Sequence, residues 1–162
     1  MPMASFAGYL KSAVLALFLS LLAATSSFAD EVKFSSELLT ITSTGGRKHQ
    51  FTVDLAVTPA QRERGLMFRK SMGRDAGMLF DFGESRPVMM WMKNTDLPLD
   101  MLFIGKNGSI HRIHHNAVPY SEDIISSNGS VMYVLELNGG TAAALGIHEG
   151  DRVSSRQIGN VN

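Results

Sequence analysis

Residues 97–115 run Leu-Pro-Leu-Asp-Met-Leu-Phe-Ile-Gly-Lys-Asn-Gly-Ser-Ile-His-Arg-Ile-His-His, two β-prone segments on either side of Asn107-Gly108. An Asn-Gly pair in that setting favours a two-residue turn with both central residues at positive φ, the backbone region these two residue types enter at least steric cost. Counting outward from such a turn pairs Lys106 with Ser109, Ile104 with His111, Leu102 with Ile113 and Asp100 with His115. The last three pairs share one face, because side chains alternate along a strand.

Working outward, the segments Gly77–Phe82 and Val88–Asn94 have strand character and flank a turn through Gly83–Pro87. Downstream, Asn128-Gly129 predicts a second tight turn that sets Ser127 against Ser130 and Ile125 against Met132, before a strand over Val131–Asn138. Along that strand Val131, Tyr133, Leu135 and Leu137 share one face, and Met132, Val134, Glu136 and Asn138 the other, which leaves Glu136 polar among apolar neighbours. Towards the N-terminus, residues 38–43 and 49–57 predict two strands, the second presenting Phe51, Val53, Leu55 and Val57 to a core. Thr58-Pro59-Ala60-Gln61 combines a capping hydroxyl, a proline at the first helical position and a glutamine three residues after the cap. A short helix to about Met67 follows, with Arg62, Leu66 and Arg69 along one side. Gly139-Gly140-Thr141 then predicts a tight turn and a threonine cap, followed by a helix of barely two turns stopped by Gly146 and a last strand around Val153. Many short strands with two short helices make the chain mainly β, a single compact barrel or sandwich of short antiparallel strands.

The first 29 residues have the composition of a secretory signal: Lys11, an apolar run from Ala13 to Ala24, and small residues in Ser27-Phe28-Ala29. Cleavage after Ala29 is expected, with a retained N-terminal anchor as the alternative and the only expected link to a membrane. The organisation is then a leader at 1–29, an N-terminal strand and loop at 30–48, a β-rich core domain at 49–157 and a tail at 158–162. The mature chain, about 133 residues, is the size of one domain. The sequence contains 15 basic and 15 acidic residues, and loss of Lys11 leaves a net charge of about minus one, so nothing points to nucleic acid. The absence of cysteine excludes disulfides, thiol catalysis and thiolate metal ligands, and stability must come from packing.

Several segments in order, Gly65-Leu66-Met67-Phe68-Arg69, Gly77-Met78-Leu79-Phe80, Trp91-Met92-Lys93-Asn94-Thr95, Leu97-Pro98-Leu99-Asp100 and Val134-Leu135-Glu136-Leu137, are followed by Gly146 and Gly150-Asp151. This order resembles the exported bacterial and archaeal family known as domain of unknown function 192. The likeness covers roughly residues 50–153. It implies a compact β-rich domain and brings no established activity.

Function is sought where polar groups interrupt apolar sequence, since their burial without partners costs several kcal/mol. Met89–Ile104 is such a stretch, with Lys93, Asn94, Asp96 and Asp100 inside it. The first reading is a pocket for a small polar or anionic envelope molecule, formed by Trp91, Lys93, Asn94, Asp100 and Glu136, with Arg62 and Arg69 recruited from the helix. An indole offers a flat apolar surface, an ammonium attracts an anion, and amide and carboxyl groups supply hydrogen bonds. The competing structural reading has Lys93 paired with Glu136 or Asp100, Asn94 holding a turn and Trp91 filling the core. A second functional reading makes Glu136 and Asp100 the acid and base of an envelope-polymer hydrolase. A third makes Met90, Met92 and His114 ligands of cuprous copper in an exported carrier, although methionines more often fill gaps in cores. No cofactor is expected, and the sequence leaves the ligand and the oligomeric state open.

Overall fold

The computed structural model describes residues 32–161, and the leader expected at 1–29 lies outside them. The described chain forms β1 (Ser35–Thr42), β2 (Lys48–Ala56), α1 (Pro59–Arg64), β3 (Ala76–Met90), β4 (Leu99–Ile104), β5 (Ile110–Ala117), β6 (Ile125–Asn138), α2 (Thr141–Leu145) and β7 (Arg152–Ser154). The seven strands make one sheet in the order β5-β4-β6-β3-β2-β1-β7. It is curled, and its ends meet: the Ile110 amide donates to the Asp151 carbonyl at 2.9 Å and the Val153 amide to the Gly108 carbonyl at 2.7 Å. The described residues are therefore mainly β with two short helices, as the sequence pattern predicts.

All strand pairs but one are antiparallel. β2 and β3 run parallel, with Val53 opposite Gly77 and Leu55 opposite Leu79, because α1 and the loop after it carry the chain back across the sheet. That crossover is built locally. The Thr58 hydroxyl accepts from the Gln61 amide at 3.2 Å while the Gln61 side chain accepts from the Thr58 amide at 3.0 Å, the reciprocal cap the sequence announces. The helix stops at Arg64 rather than near Met67, because Gly65 takes φ 46° and its amide closes on the Gln61 carbonyl. A side chain at Gly65 would also lie 3.1 Å from the Phe80 ring, so the backbone favours glycine there and the space beside the ring is tight.

The sheet is apolar on both faces. The concave side encloses Leu39, Phe51, Leu79, Leu102, Leu135 and Val153 among others. Its convex side carries Met78, Phe80, Met101, Phe103 and Val134, covered by Leu66 and by Val88 and Met92. From Tyr133 to Leu137 the expected alternation holds, with odd positions in the first core and Val134 in the second. Phe51, Val53 and Leu55 are buried as expected, whereas Val57 is exposed beyond the end of β2.

Four local expectations are corrected. Gly83–Pro87 is not a turn between two strands but an outward bulge within β3, where the register moves from Asp81 opposite Tyr133 to Arg86 opposite Val131. The strand expected to reach Asn94 ends at Met90, and Lys93-Asn94 form a turn. Asn128-Gly129 does not reverse the chain, because β6 runs through it and Asn128 takes φ 53° in an irregular stretch facing β3. The β4–β5 hairpin uses a wider loop than predicted: the Gly108 amide bonds to the Gly105 carbonyl, the Gly105 amide to the Ser109 carbonyl, and only Gly108 takes positive φ. Ile104 therefore faces Ile110 instead of His111, and a following irregularity restores the expected Leu102–Ile113 pair.

Candidate functional site

β6 places Glu136 on the convex face between Met78 of β3 and Met101 of β4, both fully buried. Glu136 itself is 4 % exposed. Burial pushes its carboxyl up to about 8, with no opposing hydrogen bond or neighbouring charge among the described residues, so at neutral pH it is mostly protonated. A carboxylic acid in that state both donates and accepts a hydrogen bond.

A pocket of about 230 Å3 leads from the surface to this group. Its walls include Leu66 and Met67 after α1, Phe80 and Phe82 of β3, and Met90. Arg64, Met89, Trp91 and Lys93 also line it. Trp91 is half-exposed, and the Lys93 ammonium lies 5.2 Å from the centre of its ring, a distance at which cation and π face attract. The segment carrying both residues is clamped from two sides. The Phe68 amide donates to the Asn94 carbonyl at 2.8 Å, and the Tyr120 amide donates to the Thr95 carbonyl at 3.2 Å. Phe68, Asn94 and Tyr120 all take positive φ, a conformation that costs non-glycine residues energy and collects where geometry is over-determined. Below them the Lys70 ammonium and the Tyr120 hydroxyl both donate to Asp96. The bond from Lys70, then that from Tyr120, holds the Asp96 carboxyl below its usual range.

Of the residues singled out from the sequence, Trp91, Lys93, Glu136 and Arg62 line this one opening. Arg62 is a strut within it, since its guanidinium donates to the carbonyls of Val57 at 2.5 Å and Asp81 at 2.8 Å. Asn94 holds its turn, with its side-chain amide 3.9 Å from the Met67 sulfur. Arg69 pairs with Asp54 at 2.6 Å. Neither lines the pocket.

Asp100 is elsewhere altogether. It pairs with Leu137, one position along from Glu136, so its side chain projects from the opposite face of the sheet. Its carboxylate accepts from the amides of Asn116 at 2.9 Å, Gly140 at 3.1 Å and Ala142 at 2.8 Å. Asp100 thus caps α2, a role expected of Thr141, which is instead the first helical residue. His115 lies 4.0 Å from it. Glu136 and Asp100 share no cleft, and the paired-carboxylate arrangement does not form.

The three candidate copper ligands are also dispersed. Met90 lines the pocket, Met92 is fully buried in the convex-face core, and His114 lines a separate depression with Arg112 and Asn128. Burial lowers the His114 imidazole below its usual range, and Arg112 adds to the effect. Among the described residues no group of three or more His, Cys, Asp or Glu is placed to hold a metal ion.

Sequence reasoning missed Phe80 and Phe82 as pocket walls. A signal was present: Gly77-Met78-Leu79-Phe80 is apolar without alternation, the mark of a strand covered on both faces. Arg64 carried no such signal, because its place beside the opening depends on where α1 stops.

The DUF192 family model, described as Uncharacterized ACR, matches residues 40–155. The chain belongs to this family. It is also similar to a crystal structure of a candidate transcription regulator from Sinorhizobium meliloti 1021, at 60% identity and a TM-score of 0.75 over 76% of this chain and 96% of that one. A second crystal structure, of a protein of unknown function from Novosphingobium aromaticivorans DSM 12444, aligns at 37% identity and a TM-score of 0.72, covering 81% of this chain and 99% of that one. No curated protein matches.

Proposed function

We propose that this DUF192 domain is a binding module that takes a small polar or anionic envelope molecule into the pocket beside Trp91, after a leader directs export and is removed near Ala29. The observation that carries this reading is convergence. Trp91 and Lys93, from the β3–β4 connection, and Glu136, from the distant strand β6, line one opening whose walls are aromatic and aliphatic. A mostly apolar cavity with a few polar groups of defined position is the usual form of a small-molecule site. Lys93 supplies attraction for an anion, and Trp91 a flat surface for an apolar body. Binding of nucleic acid, which a transcription regulator such as the Sinorhizobium relative would need, is not favoured, because 15 basic against 15 acidic residues give no net positive charge to attract it.

The test is a thermal-shift panel of small anions, sugars and short peptides on the purified protein. The expected result is that at least one anion raises the melting temperature, and that Lys93→Ala and Trp91→Ala each reduce that rise while the unliganded proteins melt near wild type. If no compound acts and Lys93→Ala melts far below wild type, the polar groups are structural and the proposal fails. The mass of the protein recovered from its native envelope fraction tests the leader, with cleavage after Ala29 expected.

A further inference from the structure

The pocket is graded from end to end. Its cations are Arg62, Arg64 and Lys93, and Arg62 is committed to two backbone carbonyls. Arg64 and Lys93 each lie over an exposed aromatic ring, at 4.7 Å from Phe68 and 5.2 Å from Trp91, and so sit at the outer part of the site. Glu63 is the acidic group on α1 that faces the same opening. At the other end Glu136 is flanked by Met78 and Met101, so β3 and β4 bring it no titratable neighbour in register. A carboxyl on a residue more than nine-tenths buried, with no hydrogen-bond partner among the described residues and opening onto a cavity, is placed to meet what occupies that cavity.

We infer that the Glu136 carboxyl is a hydrogen-bond donor holding the neutral, carbonyl-bearing end of a flat apolar anion whose charged end lies between Lys93 and Arg64. The inference rests on the pocket reading above and deepens it by naming the chemistry of the occupant. The orientation follows from the charges. An anion placed at the inner end would meet a group that burial already disfavours in ionised form, whereas at the rim it meets two cations. Phe80, Phe82 and Trp91 suit a planar body between the two ends.

Two near-isosteric probes separate the parts of this inference. Para-acetylbenzoate and para-ethylbenzoate carry the same anion and ring, and only the first bears an acceptor at its far end. Calorimetric titration of the purified protein near neutral pH is expected to show both binding, the acetyl compound about tenfold more tightly, the size of one good hydrogen bond to a buried group. In wild type that preference should vanish as the pH rises past about 8, since a carboxylate cannot donate. Glu136→Gln, whose amide donates at every pH, should keep the preference without pH dependence, and Glu136→Leu should abolish it while still binding the ethyl compound. Equal affinities that no Glu136 substitution alters would overturn the donor role and leave the pocket reading intact. Failure of both probes to bind would overturn this inference, while the pocket reading itself stands or falls by the thermal-shift panel above.

Discussion

Asp100 and Glu136 lie on neighbouring strands, one position apart in register, and both are buried carboxyl groups. They nevertheless live in different surroundings. On the concave side Asp100 receives three backbone amides and joins β4 to β5 and to the start of α2. On the convex side Glu136 receives none among the described residues and opens onto the pocket. Burial alone does not distinguish a structural carboxyl from a functional one; what distinguishes them is whether the fold supplies hydrogen bonds. A group whose partners are already in place is holding the protein together, and one left without them is available to a ligand or to a proton.

The comparison breaks if removing the satisfied group is harmless. Asp100→Ala would leave the buried amide of Ala142 and the part-buried amides of Asn116 and Gly140 unpaired and α2 uncapped, so it is expected to cost about 3 kcal/mol in urea unfolding. Asp100→Asn keeps the shape but turns a donor toward one of those amides, and an intermediate loss is expected. A loss below about 1 kcal/mol for the alanine variant would mean that water or backbone relaxation replaces the carboxylate, and the contrast with Glu136 would lapse.

Glu136 is expected to respond in the opposite direction. Its pKa is raised on folding from 4.5 to about 8, so the native state binds the proton more tightly than the unfolded chain does. Stability from this group is therefore full below about 4.5, declines through the interval, and is lost above about 8, by roughly 1 kcal/mol per pH unit. Glu136→Gln should flatten that decline and unfold at higher urea than wild type at pH 9. The measurement is the urea midpoint of both proteins at half-unit steps from pH 5 to 9. Identical slopes for the two would place the ionised carboxylate in contact with solvent and remove its distinction from an ordinary surface glutamate.

The two helices sharpen the same contrast on a smaller scale, and they show what could be seen in the sequence. The cap of α1 is local, Thr58 with Gln61, and so is legible from a four-residue pattern. Thr58→Ala should cost about 1 kcal/mol, well below the loss at Asp100. The cap of α2 comes from Asp100, 42 residues before the Ala142 amide it accepts from, and no local pattern announces it; the local pattern points to Thr141 instead. Strand alternation likewise identified the face of Glu136, because period two is a local property. Failures came where neighbouring strands override local preference. Asn128-Gly129 has the sequence of a turn, yet β3 continues alongside and β6 absorbs the positive φ as an irregularity. Gly83–Pro87 likewise has the composition of a turn, yet β6 runs alongside and β3 absorbs it as a bulge. Trp91, Lys93 and Glu136 could be named as candidates from their unlikeness to their neighbours. Asn94, Arg69 and Asp100 met that criterion equally, and only the folded sheet shows them occupied elsewhere.

Trp91 gives the smallest expected change in stability and for that reason the most specific reading. It is 46 % exposed, and the half-buried Lys93 places its ammonium over the ring, a cation–π contact that near the surface contributes about 0.5–1 kcal/mol. Trp91→Ala should therefore shift the urea midpoint by no more than that contact and a partial loss of packing, within about 1 kcal/mol. Phe80, 3 % exposed on the wall of the same pocket, should by contrast lose about 3 kcal/mol or more as Phe80→Ala, because it leaves a cavity in the convex-face core. An exposed indole that the fold does not need, beside a buried aromatic that it does, is the arrangement expected where one ring supports a pocket and the other meets what enters it. If Trp91→Ala instead unfolds as readily as Phe80→Ala, the indole is part of the core's outer layer, and the opening beside it loses the surface on which a ligand would lie.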